Sequence, residues 1–209
     1  VTSERAPEVR ADVFAALNAS VPPAIVGTTA GVLLALLLAV ALSSFAAVAR
    51  GIMPFAFVSQ TIPLVALAPL IALILGRGTV TIVAVTISVT FFPSLVTIIQ
   101  GIATAPSGPL DVMRSVNASR LSIMTRVTLP NALPHLLASV RLAVPRALTG
   151  VVIAEQFVTG TGLGGLLGVS RGYLDYRMMW VIAAVVAVIS LAAYALAQAA
   201  EAALLARRS

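Results

Sequence analysis

The segment DVMRSVNASRLSIMTRVTLP, residues 111–130, lies between two long apolar stretches and decides how the chain must be organised. It contains three arginines, one carboxylate and five serine or threonine hydroxyls. Because polar groups without hydrogen-bond partners are costly in lipid, this segment cannot lie within the hydrocarbon of a bilayer. We therefore predict a water-facing loop between two transmembrane helices.

Two short helical pieces fit this loop. Pro109 and Asp111 are suited to begin the first piece, since the carboxylate would lie near the positive end of the helix. Apolar residues then recur at roughly helical spacing, whereas Arg114, Arg120 and Arg126 fall on other faces. The pattern predicts an amphipathic docking surface, but an ordinary positively charged cytoplasmic loop would have the same composition.

The composition of the whole chain indicates a membrane protein. Hydrophobic residues make up 60% of the sequence and charged residues 10%, against about 25% charged residues in a soluble domain. The basic residues are all arginines and are dispersed between apolar stretches, so they form no stripe of the kind that binds nucleic acid. The chain has no cysteine, and its single histidine and seven carboxylates show no evident set of metal ligands. We predict a multi-pass membrane protein with no nucleic-acid partner and no metal.

Apolar stretches of roughly 20 residues or more predict an all-α protein with about five transmembrane helices. Residues 1–20 are polar and mixed in charge, and we predict an N-terminal interfacial segment there, with an amphipathic piece around residues 13–17 on the membrane surface. Residues 21–209 then form one transmembrane domain. Its predicted spans lie near residues 21–48, 52–75, 79–103, 131–157 and 178–205.

The second predicted span contains three prolines, Pro54, Pro63 and Pro69. Each proline removes a backbone hydrogen bond and favours a kink or a break. Irregular backbone is tolerated at membrane depth only where protein or a water-lined path covers it, so we expect residues 61–70 inside the bundle. Pro63 and Pro69 are therefore pathway candidates, with a purely structural kink as the alternative.

The fourth predicted span carries His135, Arg141, Arg146 and Glu155. Because a charge at the bilayer centre costs at least about 2.5 kcal/mol, these side chains should be shielded from lipid. Arg141 and Arg146 are expected to share one broad side of the helix. There they either reach the cytoplasmic interface, or help to stabilise the loop or line the inward vestibule for an anion. Glu155 is expected either to form a structural ion pair or to contact the pathway.

The glycine-rich residues 160–165, GTGLGG, have the spacing of a dinucleotide-binding loop. However, no strand–helix–strand unit surrounds them, and no acidic residue follows about 20 positions later. The glycines instead predict sharp turns and close packing. Gly162 and Gly164 are accordingly candidates for the pathway or its gate.

The loop resembles the EAA loop of bacterial ABC importer permeases, whose pattern of Glu-Ala-Ala, three residues, Gly, nine residues and Ile-x-Leu-Pro has the same spacing here. Asp111, Val112 and Met113 fall on the Glu-Ala-Ala positions, and the two apolar residues are larger than the alanines they replace. Asn117 falls on the glycine, where asparagine is the replacement that a left-handed turn tolerates best. The final positions hold Val127, Leu129 and Pro130.

Two further segments, residues 61–70 and 154–167, resemble the nitrate, sulfonate and taurine group of these permeases, so we expect that subgroup. The resemblance implies a type I ABC importer permease fold in the bacterial cytoplasmic (inner) membrane, with a coupling loop at residues 106–130. The loop residues implied in contact with an ATPase are Asp111, Val112, Met113, Arg114, Val116, Asn117, Ala118, Leu121, Val127, Leu129 and Pro130.

The resemblance also implies partners: two cytoplasmic ABC ATPase subunits, a second permease subunit, an extracytoplasmic substrate-binding protein and membrane lipid. This chain lacks the phosphate-binding motif Gly-x-x-x-x-Gly-Lys-Ser/Thr, so we expect no catalysis and no cofactor in it, and we expect the partner ATPase to use ATP and Mg. Related permeases usually have a further helix before the first span, so we expect a fragment or one half of a fused permease. The alternative is an ion-gradient-driven secondary transporter or channel subunit, for which only Glu155 would supply a carboxylate.

Overall fold

The computed structural model describes residues 6–43 and 46–206, and all the elements within these ranges are helical, which confirms the all-α class. Two of them are π-helical turns, π1 (Met124–Thr128) and π2 (Glu155–Thr159). The α-helices are α1 (Ala6–Ser43), α2 (Ala46–Ser59), α3 (Leu64–Leu75), α4 (Thr79–Ala103), α5 (Ser107–Ser115), α6 (Arg120–Ile123), α7 (Leu129–Ala154), α8 (Gly162–Gly172) and α9 (Tyr176–Ala206).

Four continuous helical stretches in the described ranges are long and apolar enough to span a membrane, and the bent pair α2 and α3 brings the number to five. The four are residues 7–43, 79–103, 120–159 and 176–206. This agrees with the prediction of about five spans. The third predicted span, residues 79–103, has the same ends as α4.

The second span is broken rather than merely kinked. Helices α2 and α3 meet at an angle of 99°, and Pro63 caps α3 just after the break, whereas Pro54 and Pro69 lie inside helices. Among residues 61–70 only Ala68 is buried within this single chain, and the expectation that the segment lies inside the bundle stays a prediction. Helix α3 packs on α4, α7 and π2, and most of its side chains are exposed in this single chain.

The first helix begins earlier than predicted. Helix α1 starts at Ala6 and passes Pro22 and Pro23 without a break, so residues 6–20 continue the first span instead of forming a separate helical piece. Val13 and Ala16 are buried, and Ala16 packs with Leu163 of α8 and Ile182 of α9. This contact favours a continuous helix, since it gives the segment an apolar neighbour within the protein. The remaining parts of the predicted termini, residues 1–5 and 207–209, lie outside the described residues.

Helix α4 is the centre of the bundle, because α1 and α7 both pack along it. Glycines allow the α1 contact to be very close: a methyl group added at Gly31 would lie 2.1 Å from Thr90 Oγ1, and one at Gly27 would lie 2.5 Å from Thr86 Cβ. On the α7 side, a methyl group at Gly101 would lie 2.5 Å from His135 Cβ. The bundle is therefore held by small residues facing larger ones, as is usual where hydrophobicity does not drive helices together.

Candidate functional site

The predicted loop forms two helices joined by a left-handed turn. Helix α5 begins at Ser107, with Pro106 as its N-cap, and therefore starts before the predicted Pro109. Pro109 is accommodated because the first turn of a helix has free backbone N–H groups in any case. Helix α6 begins at Arg120, and its N-cap Ser119 accepts a hydrogen bond from the Ser122 backbone nitrogen at 3.2 Å.

The turn between α5 and α6 is centred on Asn117. Its φ of 49° is left-handed, as the sequence predicts for an asparagine in a glycine position. The Ala118 nitrogen donates to the Met113 carbonyl at 2.9 Å, and the Asn117 nitrogen donates to the Arg114 carbonyl at 3.0 Å. These bonds satisfy the last carbonyls of α5 and fix the angle at which the chain enters α6.

The loop presents apolar side chains to the exterior. Val112, Val116 and Leu121 are 64%, 68% and 72% exposed, and Asp111 forms a surface ion pair with Arg114 at 3.4 Å. Exposed apolar side chains grouped on one segment are typical of a surface that contacts another protein. Of the other loop candidates, Asn117 and Pro130 are exposed, whereas the half-buried ones are Met113, Ala118, Val127 and Leu129.

The loop is joined to the fourth span without a break. From α6 through π1, α7 and π2 the backbone forms one helical stretch of 40 residues, from Arg120 to Thr159. Val127 lies in π1, and Leu129 and Pro130 begin α7. Helix α6 is therefore directly continuous with the helix that packs on α4.

The two arginines of α7 face different neighbours. An Arg141 guanidinium nitrogen lies 3.3 Å from Glu201 of α9, and its guanidinium lies over the Tyr194 ring at 5.5 Å from the centroid. Arg146 instead lines a cavity of about 420 Å³ between α4 and the break between α2 and α3. The expectation of one shared side is wrong, because five residues turn an α-helix by about 140°. Neither Pro63 nor Pro69 lines this cavity.

Glu155 is fully buried and is held by neutral donors. The Ser20 hydroxyl lies 2.8 Å from both carboxylate oxygens, and the Gly164 nitrogen donates to Oε2 at 3.0 Å. The Leu163 nitrogen in turn donates to Ser20 Oγ at 2.9 Å. No ion pair of Glu155 is present among the described residues, so the predicted structural ion pair is replaced by this hydrogen-bonded group.

The candidate glycines support that group by allowing α8 to approach it closely. Gly162 has a φ of 65°, and a methyl group there would lie 2.1 Å from Glu155 Oε1. A methyl group at Gly164 would lie 2.0 Å from the Val152 carbonyl oxygen. Helix α8 can therefore approach π2 only because these positions carry no side chain. The described residues contain no group of three or more potential metal ligands.

Ser20 is the site residue that sequence reasoning missed. A lone serine in an apolar helix has no distinguishing pattern, and its partner lies 135 positions away. The sequence did contain a signal for the close packing of α1 on α4. Gly27 and Gly31 have the Gly-x-x-x-Gly spacing that is typical of closely packed membrane helices.

Residues 27–206 match the family described as binding-protein-dependent transport system inner membrane component. The chain belongs to this family. Membership confirms a multi-pass protein of the inner membrane, and it does not favour the ion-gradient-driven alternative.

Several curated permeases are similar to this family member. The riboflavin transport system permease RibX of Chloroflexus aurantiacus is 35% identical over 148 residues, which cover 71% of this chain and 55% of RibX. The formylaminopyrimidine transport permease ThiX of Halalkalibacterium halodurans is 31% identical over 166 residues, which cover 79% of this chain and 63% of ThiX. A probable ABC transporter permease of Haemophilus influenzae is 30% identical over 168 residues, which cover 80% of this chain and 69% of that permease. The chain thus spans less than two thirds of the length of RibX and ThiX.

The fold is also that of a solved ABC transporter. The inward-facing MetNI methionine ABC transporter superposes with a TM-score of 0.74 at 17% identity, over 97% of this chain and 99% of the matched chain. This likeness confirms the predicted permease fold. The nitrate, sulfonate and taurine subgroup stays a prediction, since the relatives described above do not test it.

Proposed function

We propose that the chain is the permease subunit of an ATP-driven importer and forms part of a solute pathway across the bacterial inner membrane. The observation that carries this proposal is the exposed apolar loop, α5 and α6, which continues into a 40-residue membrane helix. A surface for a cytoplasmic partner is thereby rigidly connected to the bundle. Family membership supports the same function.

In this proposal the loop at residues 106–130 faces the cytoplasm and docks on an ABC ATPase. Two such ATPases, each bound to one permease subunit, would use ATP and Mg and supply all the catalysis. Their closure would rock the two permeases against each other, so that access alternates between the two sides of the membrane. An extracytoplasmic binding protein would deliver the solute.

The pathway candidates occupy different places in the structure, and we propose different roles for them. Arg146, beside the broken span that contains Pro63, is retained as a pathway residue because it lines a cavity. Arg141 is proposed to hold α9 through Glu201, and Pro69 is part of the exposed α3. Glu155, Gly162 and Gly164 are proposed to position α8. The division at residue 20 between an interfacial segment and the transmembrane domain also remains a proposal, and α1 passes through residue 20 without a break.

The test is co-purification of the chain with candidate ABC ATPases. We expect the wild type to retain an ATPase, and we expect both Asp111→Arg and the double variant Val116→Asp with Leu121→Asp to lose it. The matched control is Val169→Asp, which places the same charge on an exposed apolar position of α8 outside the loop. Loss of binding in the control as well, or a folded wild type that retains no ATPase, would contradict the proposal.

A further inference from the structure

Arg146 has no ion-pair or hydrogen-bond partner among the residues that the structure describes. The cavity that it lines is bounded on α4 by Ser88, Val89, Phe92 and Pro93, which lie near the middle of that 25-residue span. Arg146, which is exposed in this single chain, therefore lies at the level of the middle of α4. An uncompensated charge at the middle of a transmembrane span is costly and usually serves a function.

Arg141 shows how the same chain compensates the other arginine of α7. Its guanidinium has both an anionic partner, Glu201, and an aromatic ring, Tyr194. Arg146 lies five positions further along the same helix and has neither. The contrast indicates that the counter-charge of Arg146 lies outside the residues that the structure describes.

The cavity has the form expected of a solute site. It lies beside the break between α2 and α3, and discontinuous helices near the membrane midplane commonly form transporter binding sites. Irregular backbone at this depth requires a protein or water-filled surrounding, which an open cavity of about 420 Å³ provides. Leu64, the first residue of α3, also lines it, so the positive end of that helix faces the same region as Arg146.

The polar groups around Arg146 leave one strong donor for a ligand. The hydroxyls of Ser59 and Ser88 donate to carbonyls of their own helices, and Gln60 Nε2 donates to the Ala56 carbonyl. The planar guanidinium of Arg146 is the charged donor that remains, and its geometry suits two parallel hydrogen bonds to an oxyanion. Phe92 offers an apolar surface for the body of the same molecule.

We propose that this cavity binds the oxyanion group of a transported solute, a carboxylate, sulfonate or phosphate, through Arg146. The proposal rests on the proposed function in so far as the cavity belongs to the solute pathway. To the proposed function it adds the chemical class of the ligand, an oxyanion, and the residue that selects this ligand, Arg146.

The test measures binding of benzoate, benzenesulfonate and phenyl phosphate to the full chain in lipid nanodiscs by equilibrium dialysis, with empty nanodiscs subtracted. Neutral benzamide is the matched ligand without charge. We expect saturable binding of at least one anion and none of benzamide. Arg146→Gln should lower the affinity for the anion by about tenfold or more, because charge-assisted hydrogen bonds are lost. Arg146→Lys should retain part of the affinity.

The matched protein control is the double variant Arg141→Gln with Glu201→Gln, which removes the other arginine of α7 without leaving an unpaired carboxylate. It should bind the anion as the wild type does. The proposal is overturned if no anion binds saturably, if benzamide binds equally well, or if Arg146→Gln leaves the affinity unchanged. It is also overturned if Arg146→Gln abolishes association between permease copies, since an acidic group of the second copy would then be the counter-charge.

This result is independent of ATPase docking, because the measurement uses the permease alone. If the wild type binds an ATPase normally but binds none of the anions, the anion site is rejected and the proposed function stands. Anion binding without any ATPase association would reject the proposed function instead.

Discussion

The Ser20 hydroxyl lies 2.8 Å from both carboxylate oxygens of Glu155 and joins two helices whose contacting residues are 135 positions apart in sequence. Both side chains are buried, and the backbone nitrogens of Leu163 and Gly164 complete the group. The arrangement fastens the first part of α1, π2 and the start of α8 to one another. A carboxylate that would be costly alone is thus satisfied by several neutral donors.

Removing the hydroxyl should loosen this junction. We expect Ser20→Ala to lower the free energy of unfolding in detergent by about 1–3 kcal/mol, because a buried acceptor loses a donor. Glu155→Gln should have an effect of the same sign, and the double variant should cost less than the sum of the two singles. Ser139→Ala is the control, since Ser139 is also buried but bonds only within its own helix. An equal loss in the control would contradict the prediction.

The contact between α8 and α7 should not tolerate a side chain at Gly164. A methyl group there would lie 2.0 Å from the Val152 carbonyl and 2.7 Å from Glu155 Cβ. We expect Gly164→Ala to lower thermal stability by the equivalent of about 1–3 kcal/mol through overpacking. Gly172→Ala lies at the end of the same helix with open space around it and should leave stability nearly unchanged. Similar melting temperatures for the two variants would show that the packing is not as close as described.

The crossing of α1 and α4 offers a test by rescue. Gly31→Ala should destabilise the bundle, since its methyl group would lie 2.1 Å from Thr90 Oγ1. Adding Thr90→Ala removes that oxygen and leaves Cβ at 3.2 Å as the next contact. We therefore expect the double variant to recover part of the stability lost by Gly31→Ala, as measured by thermal unfolding. If Thr90→Ala only adds a further loss, the clash is not the cause.

The turn at Asn117 can be examined by substitutions at this single position. Asn117→Gly should preserve the turn, whereas Asn117→Val should cost about 1–2 kcal/mol, because a branched side chain is strained at a φ of 49°. Hydrogen exchange of the α5 and α6 amides would report the loss locally. Ser115→Val, placed in the right-handed last turn of α5, is the control and should change exchange little. Equal exchange in both valine variants would contradict a strained turn.

The ion pair between Arg141 and Glu201 should be stronger than a surface pair, since their side chains are only 25% and 15% exposed. We expect Arg141→Met or Glu201→Met alone to lower the free energy of unfolding by about 1–3 kcal/mol, because the partner is left unpaired. The double variant should be more stable than either single one. Simple addition of the two losses would show that the charges do not interact.

Sequence was sufficient for those parts of the fold that depend on local pattern. Helix α4 follows from a predominantly apolar stretch without charged residues. The left-handed Asn117 follows from its place on the glycine position of the EAA pattern that the loop resembles. The break near Pro63 follows from a proline with turn residues before it. Each of these features depends on neighbouring residues, which is why periodicity and turn chemistry predict them.

The parts that were missed depend on distant contacts. The continuation of α1 through residues 6–20 is stabilised by α8 and α9, and these helices come from the other end of the sequence. The neighbours of Arg141 and Arg146 depend on which helices surround α7, and the sequence of α7 alone does not show this. Ser20 became a site residue only because Glu155 lies opposite it.

The continuous helical stretch from Arg120 to Thr159 is also long compared with the thickness of a membrane. Its 40 residues correspond to about 60 Å, roughly twice the thickness of the hydrocarbon layer. One end is fastened by Glu155 and Ser20, and the other carries the exposed α6. A tilt of about 10° about the fastened end would move α6 by roughly 10 Å, so a small rotation inside the bundle corresponds to a large displacement outside it.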